Sequence, residues 1–199
     1  MTLDVDAFYS RFQNPYTTVI DPVTTEPVYV LTGDSATKGI EAESNIQVGH
    51  GIGLYLNATG GKASYVNTGL WVANAPKDTE TIGVTYQRRA WDFGIFNKRI
   101  GSMWNDNGGA FNQAIPIDPF EITNAYLNYT MKDSSYLRGT KFRLSVNNLQ
   151  NSHAIVGIPT AGTKGTAAAP YVQSPNDQLT LLAGRSITFT ITAGWAPKK

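Results

Sequence analysis

Ser35 and Lys38 stand three apart in Ser35-Ala36-Thr37-Lys38, the spacing at which a lysine can activate a serine nucleophile. That chemistry needs the serine to open a helix, so that the lysine faces it one turn later. Gly39 follows at once and a strand pattern continues, which argues against the helix. Glu41 and Glu43 are two apart and so share a strand face, as an acid/base pair would. The competing reading is a pair of carboxylates lining a water-filled interior. His50 falls in a glycine-flanked turn and His153 in a long loop, so a shared metal would need distant ends of the molecule to meet. Gly49-His50-Gly51-Ile52-Gly53 is glycine-rich, yet no helix pattern follows to present an N-terminus to phosphate. The glycosylation triplets Asn57-Ala58-Thr59 and Asn128-Tyr129-Thr130 lie inside strand patterns rather than acceptor loops. Cysteine is absent, which excludes disulfides, thiolate metal sites and a cysteine nucleophile. The expectation is a non-enzyme with no catalytic residue, no metal and no cofactor.

Composition narrows the classes further. Sixteen basic and fifteen acidic residues in 199 leave a net charge of +1, which removes the basic excess that nucleic-acid binding requires. Charged residues are only 16% of the chain, and 22 Thr, 15 Asn and 19 Gly take their place. Those residues disfavour helices and suit strands and turns, so the chain reads as all-β. Met1-Thr2-Leu3-Asp4-Val5-Asp6 has neither a basic nor an apolar signal region, so no secretory signal is expected within it. No apolar run is long enough for a transmembrane helix, but a transmembrane strand needs only about 9 to 11 alternating residues.

The elements that must position these residues emerge from period-two alternation. Apolar faces recur at Leu3, Val5, Ala7 and Tyr9; at Ile40, Ala42, Ile46 and Val48; at Ile52, Leu54, Leu56 and Ala58; and at Ile82, Val84 and Tyr86. Trp91, Phe93 and Ile95 begin a fifth, whose phase slips after Phe96 and predicts a bulge. Ala125, Leu127, Tyr129 and Met131 form the sixth, Phe142, Leu144 and Val146 the seventh, and Ile187, Phe189, Ile191, Ala193 and Trp195 the eighth. Long gaps near 13–35, 65–78, 105–118 and 150–184 alternate with short ones at 49–51, 87–90 and 133–137. Sorting of this kind, tight turns at one rim and long loops at the other, is the layout of an outer-membrane barrel. The patterns also exceed the five or six residues, roughly, of an average globular strand. In such a barrel Glu41, Glu43, Lys141, Arg143, Thr188, Thr190 and Thr192 would line a wet interior. Tyr86, Trp91, Tyr129, Phe142 and Trp195 would form an aromatic girdle at the turn rim.

Thr37-Lys38-Gly39-Ile40-Glu41-Ala42-Glu43 is similar to a recurrent Gly-apolar-Glu-x-Glu strand, and Val146-Asn147-Asn148-Leu149-Gln150-Asn151 to a Val-x-Asn-Leu strand end before a long loop. Leu182-Ala183-Gly184-Arg185-Ser186, with Ile187-Thr188-Phe189, resembles a Pro-Gly-Arg-Thr approach to a final strand. The family carrying these motifs is the TonB-dependent outer-membrane receptors, and the likeness is to the C-terminal part of their β-barrel. The terminal aromatic departs from the pattern, because Trp195 is followed by Ala196-Pro197-Lys198-Lys199. The resemblance implies an all-β antiparallel meander of about eight strands, spanning residues 1–199 as one unit and forming the C-terminal segment of a larger transmembrane barrel. It also implies outer-membrane localisation and uptake of a bulky scarce nutrient of the siderophore-iron or oligosaccharide class. The implied partners are outer-membrane lipid, the barrel-assembly machinery, the remainder of the receptor (plug and earlier strands), and TonB only through the missing plug. Loop aromatics Trp71, Trp104 and Tyr171 are the candidate ligand contacts. A self-contained eight-stranded barrel and a soluble β-sandwich are the rival architectures. Small, polar inward residues argue that eight strands do not close on themselves, leaving the first and last unpaired.

Overall fold

A computed structural model of the chain describes residues 1–13, 15–20, 24–31, 33–105, 115–132, 137–158, 175 and 177–194. The alternating segments form strands β1 (Thr2–Phe12), β4 (Ser35–Gly49), β5 (Ile52–Tyr65), β6 (Asp78–Arg88), β7 (Trp91–Ile100), β10 (Phe120–Thr130), β11 (Lys141–Asn147) and β14 (Ser186–Thr192). The intervening numbers are short strands within loops: β2 (Tyr16–Ile20), β3 (Pro27–Leu31), β8 (Met103–Trp104), β9 (Pro116–Ile117), β12 (Ile155–Gly157) and β13 (Thr180–Leu181). No helix occurs among the described residues.

The eight long strands make one antiparallel sheet in the order β1-β4-β5-β6-β7-β10-β11-β14, a meander in which each strand pairs with its neighbours in the series. β1 and β14 stand at opposite edges, as expected of a wall that does not close. The loops depart from the sequence reading, because β2 pairs β3, β8 pairs β9 and β12 pairs β13 as separate hairpins. The last two pairs, of two or three residues, carry too few alternations to register as a period, while β2 and β3, five residues each, do not alternate: Pro27-Val28-Tyr29-Val30-Leu31 is apolar throughout.

The expected bulge after Phe96 is absent. β7 pairs without a register break with β6 and β10. The phase slip has another cause: Phe96 is an aromatic on the polar face, seated where a side chain at Gly83 would overlap its ring. The irregularity lies instead between Gln47 and Gly49, where β4 turns into β5. There His50 has φ 54° and Gly51 φ 89°, the left-handed pair that a tight hairpin requires. Arg89, with φ 54°, turns β6 into β7. Most of the third tight connection, residues 133–136, lies outside the described residues.

A water-soluble sheet would bury its apolar face. Here Ile187, Phe189 and Ile191 are 67%, 61% and 57% exposed, and Leu3, Val5, Ile40 and Ile82 are exposed as well. Buried apolar side chains among the described residues are Ala63, Met103 and Ile117, all at the loop end of the strands. The wall thus has an apolar outer face bare to its surroundings and a polar face more fully covered.

Candidate functional site

The polar face is knitted across strands. Asn57 on β5 donates to Glu41 on β4 at 3.0 Å, and the Tyr55 hydroxyl donates to Glu43 at 3.1 Å. Asp92 on β7 accepts from Asn128 at 2.9 Å and from the Tyr126 hydroxyl at 3.3 Å, both on β10. Each of these carboxylates is held by an amide or a phenol on a neighbouring strand. Between the two carboxylate groups runs an aromatic row, with Tyr55 and Phe96 centroids 6.1 Å apart and Phe96 and Tyr126 6.4 Å apart. The Arg143 guanidinium lies 5.4 Å from the Tyr126 ring, within cation–π range, while its Nε donates to Ser145 at 3.0 Å. A shallow cavity of about 340 Å³ opens among Phe96, Asn124, Tyr126, Arg143, Ser145 and Thr188. Flat rings, a guanidinium and amides give this face both apolar and hydrogen-bonding surface.

Geometry also resolves the candidate chemistry. Ser35 and Lys38 are three apart on one strand, so they point to opposite faces. Glu41 and Glu43 do share a face, each with its own partner. His50 sits at the turn rim and His153 beyond the loop ends of the strands, so the wall separates them.

At the loop rim, Trp71 and Trp104 belong to neighbouring loops joined by the Asn74 amide donating to the Trp104 carbonyl at 2.6 Å. Trp71 Nε1 donates to the Ala75 carbonyl at 2.7 Å, and Lys77 Nζ lies 5.8 Å from the Trp104 ring. Both indoles are half-buried within the rim, and Tyr171 lies outside the described residues. Two asparagines hold the rim together. Asn105 joins the backbone of Ile158 through both ends of its amide. Asn148, 1% exposed, donates to the Ser152 and Ala183 carbonyls and accepts from the Ser152 amide.

At the opposite rim, Trp91 and Tyr129 are cross-strand partners with ring centroids 4.7 Å apart. Tyr129 and Phe142 follow at 6.4 Å, and Phe142 and Phe189 at 6.5 Å. Tyr86 pairs with Phe93 on the same face. Trp195 lies outside the described residues. The row is thus continuous over four strands, and it takes in Phe189.

Register fixes the slope of the strands. β5 reaches its turn at Ile52, which pairs Tyr86, yet β6 continues two residues further to Arg88 before turning. Trp91 pairs Tyr129, and β10 is again followed by an outlying pair, in which the Met131 amide donates to the Thr140 carbonyl. Each hairpin therefore steps down two residues, or one per strand. With a rise of about 3.3 Å per residue and a spacing of about 4.8 Å, one residue per strand tilts the strands by about 35° from the normal to the rim line. Transmembrane barrels tilt theirs by about 35–45°.

The sequence profile described as "TonB dependent receptor-like, beta-barrel" matches residues 1–149. The chain belongs to the TonB-dependent receptor β-barrel family. A search of curated protein sequences finds no significant match. Among solved structures, the TonB-dependent barrel segment superimposes on the ferric enterobactin receptor mutant from Pseudomonas aeruginosa at TM-score 0.65 and 16% identity, covering 96% of this chain and 29% of that one. The ferric yersiniabactin uptake receptor FyuA from Yersinia pestis gives TM-score 0.65 and 12% identity, with 93% and 26% coverage. The copper transporter OprC gives 0.64 and 12%, with 95% and 29% coverage. The chain therefore spans between a quarter and a third of the length of each. Membership places it in the Gram-negative outer membrane, and the bare apolar face agrees with a lipid-facing wall rather than a soluble sandwich.

Lumen residues Tyr55, Phe96, Tyr126 and Arg143 were not singled out together by sequence reasoning. The available signal was the phase slip at Phe96, together with glycines at positions 83 and 94 on either side of its ring.

Proposed function

We propose that residues 1–199 form, as a single unit, the C-terminal segment of an outer-membrane TonB-dependent receptor that admits a bulky scarce nutrient of the siderophore-iron or oligosaccharide class. One observation carries this reading: an eight-stranded wall with a bare apolar face, whose two edge strands pair, among the described residues, with nothing but their inner neighbours. Edges left open in lipid would strand a row of backbone donors and acceptors, so the wall needs further strands on both sides. The remainder of the receptor, earlier strands and plug, supplies them, and TonB acts through that plug. The barrel-assembly machinery inserts the whole. In this reading the polar face lines the lumen around the plug, and Trp71, Trp104 and Tyr171 belong to the extracellular rim that first meets the nutrient. Tyr86, Trp91, Tyr129, Phe142 and Trp195 anchor the periplasmic interface.

Iron-chelate uptake is the first test. Cells lacking the full-length receptor, and cells in which it is restored, are compared for accumulation of radiolabelled iron as a panel of ferric chelates, with labelled oligosaccharides in parallel. Restored, energy-dependent accumulation of at least one solute is the expected result. Passive leakage of all solutes alike would identify a pore instead.

A further inference from the structure

Lys38 on β4 and Lys62 on β5 are directly opposed in the register, on the outward face of the wall. Like charges at directly opposed positions repel. Neither ammonium makes an ion pair among the described residues, and the nearest outward carboxylates, Asp78 and Glu80, are both engaged by Arg99. Toward the membrane midplane from the lysines the wall is shallow, because Ala42, Ala58 and Gly60 carry little or no side chain. Their surface forms an open cavity of about 850 Å³, bordered by Ile40 on one side and by Asp78 and Glu80 on the other. The lysines mark the level at which β4 and β5 pass from apolar to charged outward residues, on the loop side, which is the outer leaflet. Two unneutralised cations at headgroup depth, above a trough in the acyl region, are complementary to an anionic lipid.

We propose that this patch binds a phosphate-bearing acyl lipid of the outer leaflet, its phosphate between Lys38 and Lys62 and an acyl chain along Ala42, Ala58 and Gly60. The inference rests on the outward face meeting lipid. Inorganic phosphate would satisfy the lysines and leave the trough empty, so the lipid is the occupant that uses both features. Bound there, it relieves the repulsion between β4 and β5 and ties the receptor to its leaflet.

The test uses the full-length receptor in mixed micelles of phosphatidylcholine and phosphatidic acid, with retained lipids counted by native mass spectrometry and folding verified by heat-modifiable gel migration. Phosphatidic acid should be retained over phosphatidylcholine by about tenfold or more, falling as salt rises. Lys38→Gln with Lys62→Gln should bring the preference to about unity, while Lys132→Gln, beyond the turn end of β10, should leave it intact. Gly60→Val with both lysines kept should weaken retention severalfold; an added Cβ there meets no atom within 4 Å, and heat-modifiable migration reports that the variant keeps its fold. A preference that survives the double substitution, or one that Lys132→Gln abolishes equally, would overturn the site. Displacement by millimolar inorganic phosphate with no effect of Gly60→Val would overturn the lipid as occupant. If the lysine site alone were wrong, both lipids would be retained without preference; if the outward face did not meet lipid, neither would be retained.

Discussion

Replacing Asn148 by alanine removes three hydrogen bonds from one side chain: to the Ser152 carbonyl at 2.8 Å, to the Ala183 carbonyl at 2.8 Å, and from the Ser152 amide at 2.9 Å. At a net worth of about 1 kcal/mol each, their loss costs about 3 kcal/mol. Asn148 also holds φ 50°, a left-handed conformation that asparagine tolerates and alanine resists by about 1 kcal/mol. The sum, about 4 kcal/mol, concerns the local structure joining the end of β11 to the start of β14. Asn148→Gly loses the same three bonds while relaxing the backbone, so it should be milder than Asn148→Ala by about 1 kcal/mol. Hydrogen exchange on the full-length receptor in lipid is the suitable assay, because local opening is read amide by amide. Amides of Ser152, Asn151 and Arg185, each bonded to an asparagine side chain or carbonyl of this corner, should exchange about 10² to 10³ times faster in the alanine variant, whereas β4 and β5 amides should not change. Acceleration of less than about fivefold, or a glycine variant worse than alanine, would refute the assignment of Asn148 as the anchor.

Lysine at Ile82, exposed near the middle of β6 on the apolar face, should destabilise the refolded receptor by about 2–4 kcal/mol in urea titrations in vesicles, while lysine at the adjacent Thr81, on the polar face, should cost under about 1 kcal/mol. Gly83→Ala should cost about 1–3 kcal/mol through overlap with the Phe96 ring, and Phe96→Ala in the same chain should recover most of that penalty, a coupling that a double-mutant cycle measures. Asn105→Ala should release Ile158, speeding exchange of its amide about tenfold or more while leaving the lumen face unchanged.

All eight long strands, their antiparallel order and the contrast between turn rim and loop rim were legible in the sequence, because a strand that separates lipid from water must alternate at every residue. Trp91, Tyr129 and Phe142 fall at strand ends in the same alternation, and pairing alone brings them into one row. Phe96 was misread because alternation counts an inward aromatic as an error, whereas the tertiary structure gives it room over Gly83 and Gly94. The loop hairpins and the clamps of Asn105 and Asn148 also needed the structure, since their partners lie 53 and 35 residues away and no local pattern announces them. Strand tilt belongs to the same class: it follows from how far each hairpin overruns the last, a property of pairing. The sequence by itself thus determined which face of each long strand is apolar and which is polar. Only the tertiary structure decided how side chains from different strands fill the polar face and bind the rim, because those contacts depend on register and on space that neighbouring glycines leave.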